Sequence, residues 1–403
     1  MQKKMADWFF MRPGLDTFLL QPDKHARYLF GARDQRQRDH LLESLEEAAY
    51  SQDGYKATVY GDYGRGKTHQ CHNLVSEIRR RDLPFAPVYV KCGAFKKKEP
   101  FSSLFKEMLY RHSTEEIRQV AKEYARRVDE GEAAPLTDIV QSEDIASVMS
   151  EGLGAPGATA AKRSLRWLGG EPKVDLAMLE ELGGSLKPQL SDSGDFGDVM
   201  RGLSHLFIQI RNKVPLYILD EAERFQGVTE TDAYVSWLAA VRELTEIHGI
   251  AMIFMVGAMT RDFLPNIFAE PEIVRRIGVA NYIEFMNPGR DDLRAFLLEQ
   301  FQTTIRKGPV PEAQKEVVEP DALNEAVPEE LFSITEGDPR RLEAYPFEPD
   351  AFDEFIEQIA TGEMANKPSE AQIRVQKAAQ KTMRLGKKTV TSEIVESLSG
   401  EAF

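Results

Sequence analysis

Apolar and polar positions divide this chain into short, continuously apolar runs separated by longer stretches of helical period. The runs are ATVY at 57–60, APVYVKC at 86–92, PLYILD at 215–220, AMIFMVG at 251–257 and NYIEF at 281–285. They are rich in Val, Ile, Tyr and Phe and lack the alternation of a sheet with one wet face, so they predict buried strands of a parallel sheet. Segments such as HNLVSEIRRR and RDDLRAFLLEQF repeat apolar residues at helical spacing between and after them. Strands alternating with helices predict an α/β fold with a parallel five-stranded sheet. Residues 113–213 interrupt the alternation, and a loop of that length needs structure of its own, so a helical insertion is expected there. A second break, rich in Pro and Glu, runs from 308 to 330 and a mainly helical region follows. The expected organisation is an N-terminal segment with the first half of the core at 1–112, the insertion at 113–213, the second half of the core at 214–307, and a linker with a C-terminal helical lid at 308–403.

Composition narrows the class. The chain has 403 residues, 42% apolar and 29% charged, which is globular composition. Cys71 and Cys92 are its two cysteines, too few for a disulfide framework, and no apolar run reaches the roughly 18 residues needed to cross a bilayer. The N-terminal apolar stretch is too short for a signal peptide, so a reducing cytoplasm is expected and no membrane. Trp8, Phe9 and Phe10 are read as core, since aromatic clusters are usually buried.

The chemistry starts after the first run, at Gly61-Asp62-Tyr63-Gly64-Arg65-Gly66-Lys67-Thr68, a complete G-x-x-x-x-G-K-T followed by an apolar helix. Glycines let backbone N–H groups wrap phosphates, Lys67 reaches the β- and γ-phosphates, and Thr68 offers its hydroxyl to Mg²⁺ at a helix N-terminus. Gly61, Gly64, Arg65, Gly66, Lys67, Thr68 and His69 are therefore the expected nucleotide-binding residues. The third run ends in Asp220-Glu221, which fits a carboxylate for Mg²⁺ (Asp220) beside one that polarises the attacking water (Glu221). Glu223 is read as a surface or partner-contact residue. His69, Cys71 and His72 fall within four residues, but their side chains do not converge on one short helix, so helix packing is preferred over a metal site.

The phosphate loop, the Asp-Glu strand and their surroundings resemble AAA+ ATPases, and more narrowly origin-recognition initiators, transposon target-selection ATPases and BREX phage-defence ATPases. LFGARDQRQRDHLLESLEEA resembles the initiator segment that lines the adenine pocket, and Arg166-Trp167-Leu168-Gly169-Gly170-Glu171 resembles an R-W-L-x-G-E segment of BREX-type ATPases. The resemblance covers about residues 28 to 397. It implies an AAA+ P-loop core with a helical insertion and lid, Mg²⁺-dependent hydrolysis of ATP to ADP and phosphate, and assembly of copies through an arginine finger. It implies Thr260 as the polar sensor after the fourth strand, where many initiators have Asn, and Arg276 as the finger, with Arg275 second. The lid sensor has two placements of equal weight: Arg340 or Arg341 in GDPRR, or the position near Asn366-Lys367-Pro368-Ser369, where no arginine stands. Initiators add a winged-helix DNA reader, which is not expected here because the sequence ends at Phe403 soon after the lid-like segment.

A net charge of −14 excludes a protein coated uniformly with phosphate-binding charge. Arg374, Lys377, Lys381, Arg384 and Lys388 recur every three or four residues, as on one helix face. They are either a solvated face or a stripe that oligomerisation lines up along non-specific double-stranded DNA. The expected function is an ATP-driven oligomeric switch in DNA transactions, in phage defence or mobile-element targeting, acting with partner proteins. The alternative is a protein-binding signalling scaffold with a slow ATPase timer and no DNA contact.

Overall fold

The structure is a computed structural model that describes residues 4–51, 54–93, 100–155, 157–171, 174, 186–227, 231–285, 288–315, 318, 326–361 and 367–398. All five apolar runs form strands: β1 Lys56–Gly61, β2 Phe85–Lys91, β3 Val214–Asp220, β4 Ala251–Gly257 and β5 Tyr282–Glu284. They make one sheet in the order β2-β3-β4-β1-β5, and every pairing is parallel. Every residue of β1 and β3 is buried, which is why their sequences do not alternate. The register sets Gly61 beside Gly257 and Lys91 beside Asp220, so these strand ends share the carboxyl edge of the sheet. Ligands of open parallel sheets bind outside that edge. The α/β class, the parallel five-stranded sheet and a helical C-terminal region are thus present as the sequence implies.

Contacts divide the chain into two units, Leu41–Gly61 with Glu77–Glu284, and Met1–His40 with Asp62–Ser76 and Phe285–Phe403. The first contains the whole sheet and the insertion. Ser113, Ser142 and Asp192 cap the insertion helices Thr114–Asp129, Glu143–Ser147 and Ser193–Arg211 by accepting backbone N–H groups. Such caps contribute about 1 kcal/mol each. Met149, Trp167 and Phe196 of the insertion join the same apolar cluster as Tyr217 and Leu219 of β3, so the insertion has no separate core. Phe105 and Phe196 pack at 4.3 Å between ring centroids.

The second unit divides the chain differently from the expected boundary at 308. The helix Arg290–Thr304, expected with the core, buries Leu293, Leu297 and Phe301 in one cluster with Phe347, Phe352 and Phe355 of the C-terminal helices. The N-terminus joins this cluster through Phe9 and Phe18, and Arg12 N–H donates to the Thr304 carbonyl at 2.8 Å. Phe9 and Phe10 are core, and Trp8 is part-buried with its indole N–H on the Lys387 carbonyl.

Asp34, in the first turn of the helix Ala32–Ser51, is a titratable group of this second unit that burial disturbs. Burial raises its pKa to about 7, with Asp292 adding to the rise and Arg33 and Arg65 opposing it. An acid whose pKa rises on folding contributes stability below its unfolded value, and that contribution is lost as pH climbs through the folded value. The window here is from about 4 to about 7. Asp34→Asn is therefore expected to melt increasingly above the wild type as pH is raised from 4 to 8, measured by thermal unfolding. A gap that stays constant across that range would contradict the assignment.

Candidate nucleotide site

The phosphate loop is shaped by its glycines. Gly64 and Gly66 have φ of 79° and 91°, the left-handed region that glycine enters without strain, and the chain then turns into the helix Lys67–Arg80. Lys67 Nζ donates to the Asp62 carbonyl at 2.8 Å and lies 5.7 Å from the centre of the exposed Tyr63 ring. Asp62 Oδ1 accepts the Tyr63 N–H at 2.7 Å. Its other oxygen pairs with Lys367 at 2.9 Å. Burial works to raise the Asp62 pKa, but the Lys367 ammonium and the Tyr63 N–H outweigh it and hold the carboxyl below its ordinary value. The Gly64 carbonyl accepts both the N–H and the hydroxyl of Ser369, at 3.3 and 2.7 Å. A Cβ at Gly64 would stand 2.8 Å from that hydroxyl oxygen.

The loop is thus fastened by the start of the lid helix Pro368–Arg384, through Lys367 and Ser369. Of the two sensor placements, this is the one whose described residues touch the loop; Asn366 lies outside the described residues. Arg340 instead lines a cavity of about 380 Å³ with Thr335, Glu348 and Thr389, and Arg341 pairs with Glu336 at 2.7 Å. Behind the loop, a ring nitrogen of His69 bonds the Tyr28 carbonyl and Asn73 donates to the Ala26 carbonyl at 2.8 Å. Burial depresses the His69 pKa, so its ring is neutral and serves as an anchor for residues 26–28. Cys71 is fully buried and Arg65 is 5% exposed.

The carboxylate pair lies in the sheet unit. Asp220 is buried, and its oxygens accept the Glu221 N–H and the Tyr89 hydroxyl, both at 2.9 Å. Glu221 has φ of 58°, a strained backbone for a residue with a side chain and one that collects at functional sites. Its carboxylate sits between Lys91 at 2.8 Å and Arg224 at 2.6 Å. Burial tends to raise its pKa, but Lys91 first and Arg224 second prevail and hold it below the usual carboxylate range. Glu223 is half-buried and bonded within its own chain: its Oε2 accepts the Gly257 N–H at 2.6 Å and ties the turn after β3 to the end of β4. Thr260 is exposed and makes no cap hydrogen bond.

Three other expectations change. Arg276 is only 16% exposed and is held within its own chain by Glu246 and by Glu272 at 3.6 Å. Arg275 beside it is exposed, and no ion pair of Arg275 occurs among the described residues. Arg166-Trp167-Leu168-Gly169-Gly170-Glu171 is a packed helix end: Arg166 pairs with Glu171 at 2.6 Å, and the buried Trp167 donates to the Lys187 carbonyl at 2.9 Å. The basic stripe is broken, because Lys388 lies past the helix end at Arg384 and pairs with Glu330, while Arg374 is 16% exposed and pairs with Glu370.

Sequence reasoning missed Tyr89, Lys91 and Arg224. Tyr89 and Lys91 share one face of β2, and a lysine ending a buried strand was the available signal.

This chain is similar to solved initiator structures. ORC1 of Aeropyrum pernix in complex with DNA has 14% identity and a TM-score of 0.46, over 93% of this chain and 66% of that chain. ORC2 of the same organism, in ADPNP–ADP complexes, has 13% identity and a TM-score of 0.47, over 93% and 70%. Domain III of the Thermotoga maritima replication initiation protein DnaA has 10% identity and a TM-score of 0.41, over 96% of each chain. The chain spans just under two thirds of the ORC1 length. No family profile matches the sequence, and no curated protein matches it.

Lys91 keeps Glu221 ionised, so removing it should make the carboxylate harder to ionise. In Lys91→Met the Glu221 carboxyl is expected to titrate at higher pH than in the wild type, read from its carboxyl ¹³C chemical shift. An unmoved titration would mean that Lys91 does not hold the Glu221 pKa down.

Proposed function

We propose that this chain is an AAA+ ATPase that binds ATP·Mg²⁺ and hydrolyses ATP as an oligomer. The observation that carries the proposal is the loop from Asp62 to Thr68, in which left-handed Gly64 and Gly66 follow a buried parallel strand and lead Lys67 and Thr68 into a helix. Backbone N–H groups in that conformation, a lysine and a helix N-terminus are what a polyphosphate requires. The Thr68 hydroxyl and the Asp220 carboxylate are each of the hard-oxygen type that Mg²⁺ prefers. When bound, Mg²⁺ neutralises phosphate charge. Glu221, ionised between Lys91 and Arg224, accepts the proton of the attacking water, and Thr260 is the polar sensor. Lys367 and Ser369, rather than Arg340, report the state of the loop to the lid.

Arg275 takes the finger role in a neighbouring copy. An arginine finger must leave its own subunit, and Arg276 is engaged at home while Arg275 is exposed. The DNA-transaction role, in phage defence or mobile-element targeting with partner proteins, rests on the sequence resemblance. The internal pairing of Arg374 and Lys388 favours the second reading, a signalling scaffold that does not contact DNA. Duplex DNA at moderate salt separates the two: a changed ATPase rate or assembly state supports the first, and no change supports the second.

Glu221→Gln is expected to keep ATP binding and lose roughly 10²- to 10⁴-fold in turnover. Arg275→Ala is expected to bind ATP and fail to hydrolyse it, and mixing the two variants should restore activity where an intact site meets an intact finger. Phosphate release in co-assembled mixtures is the measurement. Wild-type turnover in Glu221→Gln would remove Glu221 from the mechanism, and no recovery on mixing would remove Arg275.

A further inference from the structure

The phosphate loop carries an acid that phosphate binding does not require. G-x-x-x-x-G-K-T leaves the positions between its glycines open, and Asp62 takes the first of them. A carboxylate there opposes polyphosphate in the same loop, because like charges repel strongly where water screens them poorly. Asp62 is ionised at neutral pH: burial works to raise its pKa, but the Lys367 ammonium and the Tyr63 N–H hold it below the ordinary value.

Asp62 also gathers two ammonium groups. Its carbonyl accepts Lys67 Nζ at 2.8 Å, and its Oδ2 pairs with Lys367 Nζ at 2.9 Å. The Lys367 and Asp62 side chains are 17% and 20% exposed, so this pair is shielded more than a solvated surface pair would be. Lys367 stands at the N-cap of the 17-residue lid helix Pro368–Arg384 and makes no cap hydrogen bond. The dipole disfavours a cation at a helix N-terminus, so a lysine held there needs an anion, and Asp62 supplies it. Two residues on, Ser369 donates its N–H and hydroxyl to the Gly64 carbonyl, so the start of the lid helix is fixed to the loop at both Asp62 and Gly64. All of these residues belong to one unit.

We infer, on the reading of Asp62 to Thr68 as a polyphosphate site, that Asp62 is a brake on that site: it holds Lys367, and a polyphosphate gains the lid lysine only by taking it from Asp62. Asp62 is then a positioning residue that acts through Lys367 and sets affinity. A carboxylate that only repelled phosphate would weaken binding equally with or without Lys367. One that also withholds Lys367 weakens binding more when Lys367 is there, so the two residues are coupled.

The test is equilibrium titration of the full chain with a fluorescent ATP analogue, in a double-mutant cycle of Asp62→Asn and Lys367→Met. Asparagine keeps an oxygen for the Tyr63 N–H and removes the charge. Asp62→Asn is expected to tighten binding at least about fivefold, and Lys367→Met to weaken it at least about fivefold. In the Lys367→Met background the gain from Asp62→Asn is expected to be at least about twofold smaller. Lys367→Arg, which keeps the charge, is expected to bind within about threefold of the wild type. If Lys367→Met lowers the melting temperature, Lys367→Gln takes its place with the same expected direction. No saturable binding by the wild type would overturn the polyphosphate reading and the brake with it. Saturable binding that Asp62→Asn fails to tighten, or tightens equally in both backgrounds, would overturn the brake alone, as would a loss in Lys367→Arg equal to that in Lys367→Met.

Discussion

A loop that is to wrap phosphate must hold consecutive backbone N–H groups in a shape that gives them no internal partners, so its fastening has to come from carbonyls, side chains and glycine geometry. Here Gly64 and Gly66 supply the left-handed turns, and the polar groups of the loop are tied by residues of the lid helix. The Gly64 carbonyl takes two hydrogen bonds from Ser369, and Asp62 takes the Lys367 ammonium. Lys67 donates to the Asp62 carbonyl. Any movement of the lid helix start is therefore felt at the Gly64 carbonyl, which gives the loop a mechanical connection to the C-terminal helices.

The carboxyl edge of the sheet shows the same economy. Asp220 is oriented by the Tyr89 hydroxyl and the Glu221 N–H, so its carboxylate has a fixed direction. Glu221 accepts a left-handed backbone, a strain of about 1–2 kcal/mol, and is compensated by two cations. That pairing lowers its proton affinity, which keeps it ionised at neutral pH and makes it a weaker base than a free carboxylate.

The strands were legible because a parallel sheet covered on both faces leaves no polar alternation to blur them, and the phosphate loop because its chemistry needs a fixed spacing. What stayed hidden depends on side-chain direction. Arg275 and Arg276 are adjacent letters, yet one helix step sends Arg276 to Glu246 and leaves Arg275 in solvent. Glu223 looks like an ordinary surface acid until its carboxylate is seen on the Gly257 N–H. The spacing of Arg374 to Lys388 predicted one helix face, but spacing does not say that the helix stops at Arg384 or that Glu370 and Glu330 stand nearby. The helix Arg290–Thr304 was assigned to the core because periodicity shows that a helix has an apolar face and not which face of which cluster receives it.

The account stands on the loop from Asp62 to Thr68 as a polyphosphate site, and equilibrium titration with a fluorescent ATP analogue tests it most directly. Wild-type chain should bind the analogue saturably and more tightly with Mg²⁺ present, with unlabelled ATP displacing it, and Lys67→Ala should lose that binding while melting as a folded protein. Equal binding by folded Lys67→Ala, or no saturable binding by the wild type, would contradict the assignment.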